Sequence, residues 1–351
     1  VKPDLRTKYL GLSLPNPIIV ASSGLTKNLK GVRKCAAAGA GAIVLKSLFE
    51  ERIAGETGLL KKYAEYAGHG EAAEYLENYG MALGPRDYVE LVKGAKDAVD
   101  IPIIASLNCF SHQRWADYAL GIEQAGADAL ELNVAVLPTQ ANQDAAVVEE
   151  IYYRILHEVK NRVSIPVAMK VGPYFSSFAH FAEHLTRDRM EAPAFMVGWC
   201  GPGRNESRVV WSGADGLVLF NRFYHLDIDI EKISLVAGSA YSTSAESHEA
   251  LRWIALLFSR LDCDLVASTG IHDGSDAIRM LLAGASAVQV CSTLYRNGFG
   301  RIGEIVKQIE DWMETRHFER LDQFRGLLSQ ARSNHPEYFE RLQYVKQLSD
   351  G

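Results

Sequence analysis

Residues 265–292 read LVASTGIHDGSDAIRMLLAGASAVQVCS, and their parsing decides the fold. A short apolar run, Leu265-Val266-Ala267, meets a turn at Ser268-Thr269-Gly270. A segment of helical period comes next, with Ala277, Ile278, Leu281 and Leu282, and it ends at Ala283-Gly284-Ala285 before a second apolar run over 287–290. This spacing predicts a strand, a helix and a strand. The two strand ends, Thr269-Gly270 and Cys291-Ser292, carry small residues that would let a phosphate approach backbone N–H groups. In a (β/α)8 barrel the last two strands build a phosphate site in this manner. The plainer reading is two ordinary turns of another α/β protein.

Outward from this unit the same junction recurs. Ala38-Gly39-Ala40-Gly41 precedes an apolar run at 42–45, Ala125-Gly126-Ala127-Asp128 one at 129–132, and Gly213-Ala214-Asp215-Gly216 one at 217–219. Each predicts a helix ending in a left-handed glycine cap, followed at once by a buried strand. Two more strands open at Ile101-Pro102 and Ile165-Pro166, where proline is tolerated at the first position. With 17–21 and 265–268 the candidate strands number eight, and helical patterns such as 114–124 and 148–159 lie between them. The expected fold is therefore α/β, a (β/α)8 TIM barrel forming a single domain over 1–351. An open flavodoxin-like sheet fits less well, given the strand number and the lack of GxGxxG after the first strand.

Three segments stand apart from the alternation. Residues 49–85, rich in Glu, Lys, Tyr and Gly, are long enough to form a lid. Residues 186–212 have no clear period and contain Gly201-Pro202-Gly203, so they read as an inserted loop. The tail 304–351 reads as C-terminal helices, with Ile305, Ile309, Trp312 and Met313 on one apolar face and Phe318, Leu321, Phe324 and Leu327 on a second.

The chain has 351 residues, 48% of them hydrophobic and 23% charged, enough to bury a sizeable core. A formal charge of -6 offers no electrostatic footprint for nucleic acid or an anionic membrane, so any anion site must be local. Cys35, Cys109, Cys200, Cys263 and Cys291 lack paired or metal-type spacing, the histidines lack ligand spacing, and no metal site is expected. No window reaches the roughly 18 uninterrupted apolar residues of a membrane span, and a cytoplasmic location is expected.

Barrel active sites lie at the C-terminal ends of the strands. Those ends are Ser22-Ser23-Gly24, Lys46-Ser47, Ser106-Leu107-Asn108, Asn133, Lys170, Asn221-Arg222, Thr269-Gly270 and Cys291-Ser292. Two lysines and three asparagines at equivalent ends suit a polar, planar, anionic ligand held by many hydrogen bonds.

At these ends the sequence resembles the dihydroorotate dehydrogenases, most closely the class 1 enzymes. The stretches that carry the likeness are Asn16-Pro17-Ile18-Ile19-Val20-Ala21-Ser22-Ser23-Gly24, Leu45-Lys46-Ser47, Glu131-Leu132-Asn133, Met169-Lys170-Val171-Gly172-Pro173-Tyr174-Phe175, Asn221 and residues 265–292. The resemblance implies an FMN-dependent oxidoreductase that oxidises dihydroorotate to orotate, in pyrimidine biosynthesis, by hydride transfer to flavin. It implies that Ser22, Ser23 and Gly24 line the flavin ring and ribityl chain, with Ser47 and Asn108 on the same side. Asn133 and Lys170 would bind the flavin ring, and Thr269, Gly270, Cys291 and Ser292 its phosphate. Lys46 would be the catalytic side chain touching flavin and substrate; Asn133, Asn221 and Asn78, or Glu77 by a one-residue shift, would bind substrate. The implied electron acceptor is soluble, because 1–10 is too short and charged for a quinone-reaching extension and no iron–sulfur cysteine cluster is present; a homodimer is implied by likeness alone.

One departure is chemical. Where the family carries a Cys or Ser base, this chain reads Val134-Ala135-Val136-Leu137-Pro138-Thr139, and Val136 cannot accept a proton. A missing base slows proton abstraction on the order of 100- to 10,000-fold. Thr139 and Cys109 are the substitutes in view. The alternatives are a flavin enzyme with a different cyclic amide or alkene substrate, and a flavin-binding protein without turnover.

Overall fold

The computed structural model describes residues 2–49, 85–109, 115–188, 212–223 and 225–340. The chain begins with a hairpin, β1 (Thr7–Tyr9) and β2 (Leu12–Leu14), paired antiparallel. Next come β3 (Ile18–Val20), α1 (Leu29–Ala37), β4 (Ala42–Val44), the two-residue β5 (Leu48–Phe49) and α2 (Pro85–Ala98). The middle holds β6 (Ile103–Cys109), α3 (Trp115–Gln124), β7 (Ala129–Val134), α4 (Ala145–Lys160), β8 (Val167–Val171), α5 (Phe178–Thr186) and β9 (Gly216–Leu219). A second hairpin, β10 (Leu226–Asp229) with β11 (Ser234–Ala237), precedes α6 (Ser247–Leu257), β12 (Asp264–Ala267), α7 (Gly274–Ala283), β13 (Ala287–Val290), α8 (Ser292–Asn297) and α9 (Arg301–Thr315).

All eight expected strands form one parallel sheet in the order β4, β3, β13, β12, β9, β8, β7, β6. The sheet closes on itself through β4 and β6, with Ile43 opposite Ile103, so it is a (β/α)8 barrel. The glycines behind three of the four junctions behave as expected: Gly39, Gly126 and Gly284 have φ of 94°, 91° and 129° at helix ends. Gly213 differs. It has no left-handed φ, and a Cβ there would sit 2.2 Å from Thr186 O, so close packing rather than a cap requires glycine.

The junction aspartates have a structural task at the opposite end from the mouth. Asp128 accepts Ile103 N–H at 2.7 Å and pairs with Lys96, while Asp215 accepts Val167 N–H at 2.7 Å and pairs with Lys160. Each carboxylate thus ties the start of one strand to its neighbour and to a preceding helix. Such features at the bottom of a barrel serve stability rather than chemistry.

The lowest barrel layer is lined by small residues, Ala42, Ala129, Ala168 and Ala287, which leave space that strand side chains do not fill. Tyr9, Leu10 and Leu14 of the first hairpin fill it, and a Cβ on Gly216 would meet Leu10 Cδ2 at 2.8 Å. The sequence pattern had not shown this plug.

The tail departs from its expected form. α9 starts at Arg301 and buries Ile305, Ile309 and Met313 as expected, but the second apolar face is not helical. His317, with φ 59°, turns the chain out of the helix, and the chain beyond it includes short 3-10 turns at Leu321–Gln323 and Gln330–Arg332. Phe318 and Phe324 instead fold back on Trp312, at ring separations of 5.6 and 5.0 Å, while Leu327 is exposed. Most of the expected lid over 49–85 and of the insertion over 186–212 lies outside the described residues.

Candidate functional site

Side chains alternate along each barrel strand, so every second residue faces the interior. Above the plug layer the interior turns polar: Ser106, Glu131, Lys170 and Gln289 are all buried. Lys170 Nζ donates to Gln289 Oε1 at 2.8 Å, and Gln289 Nε2 donates to Glu131 Oε2 at 2.5 Å. Glu131 Oε1 has no hydrogen-bond partner among the described residues and lies 3.9 Å from Lys170 Nζ. These partners come from β7, β8 and β13, so the contacts run through the barrel interior.

One layer higher the strand ends meet. Asn221 N–H donates to Val171 O at 2.8 Å, which carries the β9 chain beyond its last residue and sets Asn221 beside β8. Its side-chain Nδ2 then donates to Asn133 Oδ1 at 2.9 Å. On the other side, Ser22 Oγ and Ser47 Oγ lie 3.0 Å apart, and Ser47 Oγ lies 2.8 Å from Ser106 Oγ. This hydroxyl chain joins the ends of β3 and β4 to β6. Ser23 caps the following 3-10 turn, Gly24–Thr26, through Leu25 N–H, and Gly24 leaves room for Tyr295, whose hydroxyl would be 2.7 Å from a Cβ there.

A cavity of about 280 Å³ opens between these elements, lined by Ser22, Lys170, Asn221, Thr269, Gly270, Cys291 and Ser292 among others. Where Thr269 and Gly270 line it, the backbone is held in an unusual form. Thr269 has φ 74° and Gly270 φ 79°, and a Cβ on Gly270 would lie 2.5 Å from Ser247 N. A non-glycine residue with left-handed φ is costly and persists where the surroundings enforce it. Thr269 Oγ1 donates to Phe220 O at 3.0 Å, which holds the turn. Gly270 N–H points at Ser242 Oγ at 3.3 Å, and Ser242 N–H at Ser292 Oγ at 3.1 Å, so two hydroxyls join the backbone groups there. Arg222 also lines the cavity; it pairs with Glu246 at 2.8 Å and donates to Ser239 and Ala240 carbonyls, pinning that loop. Burial raises the Glu246 carboxyl, but the Arg222 and Thr243 hydrogen bonds hold it below its ordinary value.

Burial pushes the Cys291 thiol up, against the pull of a Ser23 hydrogen bond and the Lys170 charge, so it is a neutral wall of the cavity. Val136 is half-buried and packs against the core, and its N–H reaches Tyr152 OH at 3.4 Å. Burial pushes the Tyr152 hydroxyl up to about 12, so it is no base near neutral pH. Leu137, Pro138 and Thr139 are exposed.

Of the expected site residues, Ser22, Lys170, Asn221, Thr269, Gly270, Cys291 and Ser292 share the cavity wall. Asn133 and Ser47 join it through Asn221 and Ser22. Asn108 pairs in register with Asn133, and Lys46 follows β4 at the same end of the barrel. Ser23 and Gly24 face Tyr295. Asn78 and Glu77, and the side chain of Cys109, lie outside the described residues. The sequence reading missed Glu131, Gln289 and Ser242 as site components. A charged or amide residue inside an apolar strand, as in ALELNV and AVQV, was the available signal for the first two; Ser242 had none.

The profile of the family described as "Dihydroorotate dehydrogenase" matches residues 4–192 and 222–313. A protein of Thermoplasma volcanium named "Dihydroorotate dehydrogenase B (NAD(+)), catalytic subunit" is 26% identical over 335 residues, covering 92% of this chain and 98% of that one. One of the same name from Methanosarcina mazei is 28% identical over 330 residues, covering 90% and 93%. The "Dihydropyrimidine dehydrogenase (NADP(+)), chloroplastic" of Arabidopsis thaliana is 24% identical over 379 residues, covering 97% and 80%. The unmatched stretch 193–221 overlaps the segment set apart in the sequence and ends at Asn221, whose placement therefore rests on geometry. The chain belongs to the dihydroorotate dehydrogenase family and is an oxidoreductase.

Proposed function

We propose that this member of the dihydroorotate dehydrogenase family binds FMN at the barrel mouth and oxidises dihydroorotate to orotate, a pyrimidine-biosynthetic CH–CH dehydrogenation. The observation that carries the reading is one cavity whose wall holds both a buried cation, Lys170, and the left-handed Thr269-Gly270 turn with Ser292. Such a wall suits a molecule that carries both an electron-rich ring and a phosphate. FMN, when bound, would supply the hydride acceptor, and the electron acceptor would be soluble.

The chain's own residues supply binding and orientation. Thr269, Gly270, Cys291 and Ser292 would hold the phosphate, and the Ser242 hydroxyl adds a donor beside Gly270. Ser22, Ser23 and Gly24, with Ser47 and Asn108, would line the ring and ribityl side. Lys170 would bring its charge to the pyrimidine end of the flavin and favour the anionic reduced form. Lys46, Asn133, Asn221 and Asn78, or Glu77 by a one-residue shift, would hold the substrate, Lys46 and Asn133 also reaching the flavin.

Val136 favours a second reading, a different cyclic amide or alkene substrate on the same flavin. Its side chain carries no exchangeable proton, and the hydroxyl behind it stays protonated. The test is an anaerobic titration of FMN-loaded protein with dihydroorotate, followed by flavin absorbance. Bleaching is expected on the first reading. No bleaching, with dithionite still reducing the flavin, moves the assignment to the second. Failure to take up added FMN overturns both.

A further inference from the structure

We propose that Glu131 is a positioning residue that sets, through Gln289, how much positive charge Lys170 presents to the flavin; this rests on the FMN reading above. Glu131, Gln289 and Lys170 are 1%, 2% and 6% exposed, and a carboxylate that deep is costly unless a cation compensates it. Among the described residues the cation in reach is Lys170, whose Nζ is 3.9 Å from Glu131 Oε1.

The amide between them is oriented by chemistry. An ammonium has only donors, so it takes Gln289 Oε1; a carboxylate has only acceptors, so it takes Nε2. The arrangement is a charged pair with a polar bridge. It uses one of the three Lys170 donors and leaves the side chain on the cavity wall. Among the described residues Glu131 Oε1 has no hydrogen-bond partner, so the pair is not built for maximal stability. An apolar residue would fill a merely structural role as well. What the carboxylate adds is a negative charge 3.9 Å from the cation, offsetting its field at the cofactor.

Removing that charge strengthens the field of Lys170 and stabilises the anionic reduced flavin. Glu131→Gln in the full chain, loaded with FMN, is expected to shift the two-electron reduction equilibrium at least tenfold toward reduced flavin, about 30 mV upward in midpoint potential. Sulfite, a probe of positive charge at the flavin pyrimidine, is expected to bind the variant at least tenfold more tightly. Glu131→Leu, which leaves no polar group in need of a partner, is expected to move both in the same direction. Glu131→Asp is expected to stay near the parent. FMN uptake with unchanged or lowered potential and sulfite affinity in both variants overturns the inference alone. So does loss of folding in both, because Glu131 would then be structural. Failure of the parent protein to bind FMN overturns the proposed function and this inference with it.

Discussion

Asn221 and Asn133, 88 residues apart in sequence, share a 2.9 Å hydrogen bond at the barrel mouth. An amide pair joined by one such bond keeps an N–H2 on one partner and a carbonyl on the other, whichever way the pair is turned. The remaining donor and acceptor complement a ring that presents adjacent C=O and N–H groups, which is the chemistry of a cyclic amide. Asn221→Ala should lower kcat/KM for such a substrate by about 10- to 100-fold, since it removes one hydrogen bond and strands another. The flavin spectrum should be retained. Steady-state kinetics beside an absorbance spectrum checks both.

By the resemblance, Val136, or Leu137 by a one-residue shift, is expected where the family has its base. Val136→Cys places a titratable group beside the expected substrate and should raise dihydroorotate-driven flavin reduction on the order of 100-fold or more. Stopped-flow absorbance measures it; an unchanged rate would mean that dihydroorotate is not the substrate or that the loop holds position 136 away from it.

Tyr9 plugs the bottom of the barrel with its hydroxyl buried and, among the described residues, without a hydrogen-bond partner. Burial, then the charge of Glu131, pushes that hydroxyl well above its ordinary range. Tyr9→Phe removes an unsatisfied group and should leave stability unchanged or raise it by about 1 kcal/mol. Tyr9→Ala should cost about 3–5 kcal/mol by opening a cavity. Urea unfolding of both variants separates the ring's packing from its hydroxyl.

Gly270 combines a φ of 79° with a backbone atom 2.5 Å from where a Cβ would lie, whereas Gly11, at φ 74°, has nothing within 4 Å. Gly11→Ala should therefore cost only the left-handed penalty, about 1–2 kcal/mol. Gly270→Ala should cost more and weaken FMN binding at least tenfold, because the strand end must move. Thermal melts and FMN titration of the two variants test the difference.

Burial pushes the His157 and His272 imidazoles below their ordinary value of 6.5, with Arg296 adding to the effect at His272. The folded state disfavours their charged form, so below about pH 6.5 the unfolded chain binds more protons and stability falls as pH falls. Above that pH the contribution is fully present. Denaturation midpoints across pH 5 to 8 should decline on the acid side, and His272→Gln should flatten part of that slope.

The alternation of eight apolar runs with helical patterns, closed by glycine-bearing junctions, was enough to place the barrel and to point to the strand ends as its candidate functional face. Both follow from local chemistry: strand and helix periods, turn residues, and the rule that strand ends form the mouth. The resemblance at Asn16 to Gly24, Lys46, Asn133 and Lys170 then placed the family, and Val136 marked the chain's departure from it.

The sequence did not show that Tyr9 fills the barrel floor, that Gly213 packs against Thr186 rather than capping a helix, or that the chain leaves helix at His317. Nor did it show that Glu131 and Gln289 stand behind Lys170 or that Ser242 reaches Gly270. Most of these are contacts between residues far apart in the chain. A local pattern states which face of a strand is inward, but only closure of the barrel decides which side chains meet there. For Glu131, Gln289 and Lys170, that meeting sets the charge of the site.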